Sequence, residues 1–158
     1  MLLGFLLLLL ISETSEKVLE YKYSLSINPL AVFIGVAGHA GGIILPNPGI
    51  NFEAKGGGNW SFNFEINAIF FIPTEIEVGI REYLKKEKEF RGFYLYQGLA
   101  FGWTNFVFGI YIPNLILAVG YKNVSAKGFT IDPILGLRAV YTDFVVLPVL
   151  GLYLGRTW

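Results

Sequence analysis

Seven charged side chains are the groups through which this chain could do chemistry: Glu53, Glu65, Glu75, Glu77, Arg81, Asp132 and Arg138. Each stands at an alternate position of an otherwise largely apolar stretch, and by that parity all seven point the same way. Carboxylates and guanidinium groups gathered on one side could pair as ions, or they could line a narrow polar path or a proton-linked site. Isolated buried charge is very costly, so paired charges that fix strand register are the expected arrangement. The single histidine, His39, lies in Gly38-His39-Ala40-Gly41 and reads as a surface-loop residue without a role. No run of His, Asp or Glu has metal-ligand spacing, so no metal is expected. There is no cysteine, which excludes a disulfide framework, a thiolate nucleophile and a cysteine metal site. The glycine-rich stretches Gly38–Gly42 and Gly56–Gly58 do not join a strand to a helix, so they read as turns and not as phosphate cradles. No cofactor is expected.

The elements that must position these side chains are strands. From Trp60 to Phe71 one face carries Trp60, Phe62, Phe64, Ile66, Ala68 and Phe70, while Ser61, Asn63, Glu65 and Asn67 occupy the other. Eight such segments can be placed. They are Glu20 to about Val36, Ile50–Lys55, Trp60–Phe71, Thr74 to about Leu84, Gly92–Trp103, Leu115–Asn123, Gly128–Tyr141 and Val145–Trp158. An extension of the sixth back to Phe106 across a bulge at Pro113 is left open. In the first, a bulge or edge irregularity is expected at Pro29, which cannot donate to a ladder. Pro73 is expected to break the third strand, and 36–49 to be the longest loop. Lys85 to Arg91 reads as a solvated charged turn.

Composition agrees with many short amphipathic strands. The chain of 158 residues is 54% apolar and 16% aromatic but only 15% charged, where a soluble domain is about one quarter charged. No internal apolar run reaches the roughly 18 residues that a helical span needs. No helix remains to cover the apolar face, so the expected fold class is all-β: an eight-stranded antiparallel up-and-down transmembrane β-barrel, polar inside and lipid-facing outside. An open sheet would leave backbone groups unpaired in lipid, so the sheet must close. Eight strands leave an interior filled by side chains, which favours a plug over a channel. Tyr21, Tyr23, Trp60, Tyr83, Tyr94, Trp103, Tyr141 and Trp158 fall near strand ends and are expected to form interfacial girdles. Formal net charge is zero, which argues against a nucleic-acid partner. Residues 1–15 read as a signal segment, apolar to Ile11 and polar from Ser12, although no basic residue precedes the apolar run. Residues 16–158 form the single barrel domain.

The chain resembles small eight-stranded outer-membrane barrels of the type that includes OmpX and the barrel of OmpA, and more closely an uncharacterised family of such barrels. The likeness is carried by Ser26-Ile27-Asn28-Pro29-Leu30, Gly79-Ile80-Arg81-Glu82-Tyr83, Gly92-Phe93-Tyr94, Gly120-Tyr121-Lys122, and Phe129-Thr130-Ile131-Asp132-Pro133 with Gly136-Leu137. It covers about Tyr21 to Trp158. The end of the chain, with Leu150, Leu152, Leu154 and Trp158, resembles the C-terminal signal read by barrel-insertion machinery, with a departure at Arg156. The resemblance implies export to the outer membrane of a diderm bacterium, membrane lipids as partners, and insertion machinery as a partner during biogenesis.

The expected role is structural or surface-interactive, with no enzymatic activity. Three rivals are weighed. A barrel hydrolase that deacylates lipid A would, by that resemblance, need a serine near its histidine, and no serine lies within ten residues of His39. A small-solute or lipid-binding barrel would need an interior cavity. A soluble calyx such as a lipocalin would reverse the faces and enclose Glu53, Glu65 and Arg138 with little water.

Overall fold

A computed structural model describes residues 21–29, 32–35, 43–46, 48–69, 72–84, 91–103, 111–140 and 145–158. Ten strands follow in chain order: β1 (Tyr23–Asn28), β2 (Val32–Gly35), β3 (Ile43–Pro46), β4 (Gly49–Lys55) and β5 (Trp60–Ile69), then β6 (Ile72–Tyr83), β7 (Gly92–Trp103), β8 (Tyr111–Val124), β9 (Phe129–Val140) and β10 (Val145–Thr157). Eight of them close an antiparallel barrel in the order β1-β10-β9-β8-β7-β6-β5-β4, while β2 and β3 pair only with each other. The chain therefore winds up and down in sequence, with one hairpin set into the β1–β4 connection.

Polarity fixes which side of each strand faces in. Ser24, Ser26 and Asn28 of β1, Asn51 and Glu53 of β4, and Ser61, Asn63, Glu65 and Asn67 of β5 are all buried. Their alternate neighbours Leu25, Ile27, Ile50, Phe52, Phe62, Phe64 and Ile66 are exposed. The same inversion continues through Ile76, Val78 and Ile80, then Leu95 and Leu99, Leu115 and Leu117, Leu135 and Leu137, and Leu150 and Leu154. An exposed apolar face thus encircles a polar interior, the reverse of a water-soluble globular protein.

Tight connections lie at one end of the barrel. Gly56, Gly57, Gly58 and Asn59 carry β4 into β5, and Gly58 takes a left-handed φ of 75° that a Cβ would strain. At the β8–β9 turn Gly128 adopts φ 82° and donates its N–H to the Ser125 carbonyl at 2.9 Å. The barrel closes where Ser24–Ile27 of β1 runs beside Leu154–Thr157 of β10. Beyond that seam Asn28 substitutes for a strand, its Oδ1 accepting the Leu152 N–H at 3.2 Å.

Several sequence expectations change. The first strand does not continue to Val36: β1 ends at Asn28, and β4 takes up its ladder with Gly49 opposite Asn28. Pro29, having no N–H and a fixed φ, ends β1 where a bulge was expected. The apolar runs Val32–Gly35 and Ile43–Pro46 pair as a separate hairpin, so part of the expected loop is strand. Pro73 does not terminate pairing but lies within β6 opposite Ala68, where the register shifts after Asn67. The sixth segment reaches back through Pro113 to Tyr111. Pro133 falls inside β9, and the β8–β9 ladder is interrupted there without a change of register: Gly120 pairs with Ile134 and Asn123 with Ile131, with no pairing between. A residue without an N–H explains the gap. Residues 1–20, His39 and Phe106 lie outside the described residues.

Candidate functional site

The interior of the barrel is the one place where the described chemistry-bearing side chains converge. Inward positions of β4, β6, β8 and β9 bring four charges together in the half nearer the tight turns. Arg81 Nη1 lies 2.6 Å from Asp132 Oδ2 and 3.2 Å from Glu53 Oε2, while Lys122 Nζ lies 2.6 Å from the same Glu53 oxygen. Glu53 also accepts from Tyr83 OH at 2.7 Å and Ser61 Oγ at 2.5 Å. Lys122 donates to Ser24 Oγ at 2.9 Å, and Tyr94 OH donates to Asp132 Oδ1 at 2.6 Å. The Glu53 carboxylate thus has four donors, which is what a buried carboxylate requires to offset lost hydration.

Arg81 is only 1% exposed, and tyrosine rings cover the faces of its guanidinium. Its Cζ lies 4.7 Å from the Tyr94 ring centre, 5.3 Å from Tyr153 and 5.9 Å from Tyr96. Arg81 Nε and Nη2 have no hydrogen-bond acceptor, and the negative ring faces take part of that role. The tyrosines fit because glycines stand beside them. A Cβ on Gly98 or Gly79 would collide with the Tyr96 ring, and one on Gly120 with Tyr94.

A second cluster occupies the other half. Arg138 holds Glu75 in a two-point grip, Nη1 to Oε2 at 2.5 Å and Nη2 to Oε1 at 2.9 Å, and Nη2 lies 3.6 Å from Glu77 Oε2. Glu65 and Glu77 stand directly opposite each other on β5 and β6, an unfavourable pairing of like charges. Each is served separately: Glu65 by Tyr153 OH at 2.7 Å and Asn51 Nδ2 at 3.3 Å, Glu77 by Tyr96 OH at 2.5 Å. Asn67 Nδ2 donates to Glu75 Oε1 at 3.2 Å. Every barrel strand contributes a side chain to one cluster or the other.

The seven charges singled out from sequence are all placed in the interior, four of them around Arg138 and three around Arg81. Sequence reasoning missed Lys122 and the hydroxyls of Tyr83, Tyr94, Tyr96 and Tyr153. Tyr83 and Tyr94 were expected in an interfacial girdle; they are 3% and 1% exposed inside the barrel. A phenol can satisfy a buried carboxylate, and that draws them inward. Tyr23 and Trp158 are exposed on the outer face and Trp60 is partly so. Tyr141 and the Trp103 side chain lie outside the described residues. Leu150, Leu154 and Trp158 are outward and exposed, Leu152 is half-buried, and Arg156 is exposed among them.

Among the described residues no group of three or more His, Asp or Glu is arranged to hold a metal ion, and no described helix is long and apolar enough to cross a membrane, which says nothing of a barrel. Ser61 Oγ is committed as a donor to Glu53. The arrangement can pair charges across the lumen and hold strands in register. Comparison of the chain with protein-family models, curated proteins and solved structures returns no match.

Proposed function

We propose that this chain is an integral outer-membrane β-barrel of the small eight-stranded type, whose polar interior is a plug and whose role is structural or surface-interactive. One observation carries the reading: exposed Leu, Ile, Val and Phe encircle the barrel while nearly all described charges inside are paired. In water a continuous apolar girdle would be an association surface. In a bilayer it is the lipid contact, and closure brings the first strand against the last instead of leaving two free sheet edges in hydrocarbon. Inward charge suits an eight-stranded lumen filled by side chains. Export through the N-terminal segment, insertion guided by Leu150, Leu152, Leu154 and Trp158, and residence in the outer membrane of a diderm bacterium belong to the same proposal.

The test combines two measurements on protein recovered from a membrane fraction. On SDS gels, the unboiled band should migrate differently from the boiled one. In planar bilayers the folded protein should give no steady conductance. Recovery in a detergent-free soluble fraction, with no shift on boiling, overturns the membrane reading. A steady, side-chain-dependent current overturns the plug.

A further inference from the structure

Among the described residues outside the lumen, Lys22, Lys55, Arg91, Lys127 and Arg156 all fall at the end with the tight turns, against Glu82. The segment 85–90 that links β6 to β7 adds three lysines and two glutamates in sequence. The connections at the opposite end, 29–48, 70–71, 104–110 and 141–144, contain no Lys or Arg, and their one charged residue is Asp143. Such a collar is complementary to a surface of phosphate headgroups.

A groove lies on the outer face of β7–β10, and its lining residues Phe93 and Tyr121 stand close in sequence to this collar. It measures about 620 Å³ and is walled by Phe93 and Tyr121 on one side and by Leu135, Leu150 and Leu152 on the other. Pro133 and Val119 form part of its floor, at the break in the β8–β9 ladder. The walls are apolar throughout. Arg156 lies on the outer face of β10 four residues beyond Leu152, which at strand rise is roughly 13 Å along the strand. Arg91 directly precedes β7 and Lys127 sits in the β8–β9 turn, so cations stand at the same end of these strands.

We propose that this groove seats one acyl chain of an anionic, phosphate-headed phospholipid, with Arg156, Lys127 and Arg91 facing its headgroup. The inference rests on the membrane reading above and adds to it a specific lipid site. A zwitterionic lipid offers the same chain but no net charge to the collar, so the headgroup decides occupancy.

Native mass spectrometry of the folded full chain tests this, released from micelles containing equal phosphatidylglycerol and phosphatidylcholine. One phosphatidylglycerol should be retained in preference, and Arg156→Gln should reduce that preference roughly fivefold, the effect of one cation near a headgroup surface. Val119→Trp, or Leu135→Trp if the first does not fold, should lower retention of both lipids by filling the groove. Folding of each variant is read from its shift on boiling. Equal retention of the two lipids by the unaltered protein, or a preference untouched by both Arg156→Gln and the tryptophan variant, overturns the site while leaving the membrane reading intact. A chain that never shows the shift overturns both.

Discussion

At the residue scale Arg81 is the centre of the molecule, because removing it strands two carboxylates of unequal resources. Glu53 would keep Lys122, Tyr83 and Ser61, whereas Asp132 would keep Tyr94. Arg81→Met is therefore expected to lower barrel stability by about 3–5 kcal/mol, the usual penalty for breaking a buried pair from one side. Replacing both members, as Arg81→Met with Asp132→Leu, should recover a large part of that loss. Urea unfolding of refolded protein, followed by the shift on boiling, reads both, and equal losses for single and double variants would refute the pairing. The inward glycines give a sharper contrast. The three atoms nearest a Cβ at Gly98 all belong to the Tyr96 side chain, at 2.5, 2.7 and 2.9 Å. Gly98→Ala should cost about 1–3 kcal/mol and be rescued by Tyr96→Val. Gly79→Ala also meets the Gln97 carbonyl, 2.6 Å away in the backbone. The same second change should leave it unrescued in the same unfolding assay.

At the element scale the hairpin of β2 and β3 is an insertion and not a stave of the barrel. Asn28 already lies opposite Gly49, and Gly49 opposite Asn67, so the ladder through β1, β4 and β5 is continuous without it, while β2 lies beside β10. Replacing residues 30–47 by a short Asn-Gly-containing turn is expected to preserve the gel shift, and its loss would assign the hairpin a part in closure. How much of this was legible depended on contrast between faces. In β4, β5 and the end of β6, residues such as Asn51, Glu53, Asn63, Glu65 and Glu77 alternate with Phe52, Phe64 and Val78, so side and period were both readable. In β7 and β8 both faces are apolar: Tyr94 and Tyr96 stand against Leu95, Ile116 and Ala118 against Leu117 and Val119. Polarity could not choose between them, which is why Tyr94 was expected outside and Lys122 was not singled out; Tyr83, the last residue of β6, was assigned outward as a strand-end aromatic against the parity of Glu77 and Arg81. Partners such as Arg81 and Asp132 are 51 residues apart, and their meeting is set by the closed register, which no local pattern encodes.

At the scale of the whole molecule, closure turns a list of alternating segments into a cross-braced tube. The Arg81–Asp132 bond joins β6 to β9, Lys122–Glu53 joins β8 to β4, and Tyr153–Glu65 joins β10 to β5. None of these partners is a ladder neighbour, so the braces resist ovalisation in different directions and stiffen the wall beyond what its hydrogen bonds provide. The circumference nevertheless has one join unlike the rest. β9 and β10 are in register from Val145 to Arg156, yet β1 meets β10 only from Tyr23, which exchanges both backbone hydrogen bonds with Trp158, to Ile27, with Asn28 standing in at Leu152. A hoop with one short overlap behaves like a bracelet with a clasp. Under load, or while the ring is first being made, it opens and shuts at that place, and the internal braces decide whether the released strand peels away alone or carries its neighbours with it.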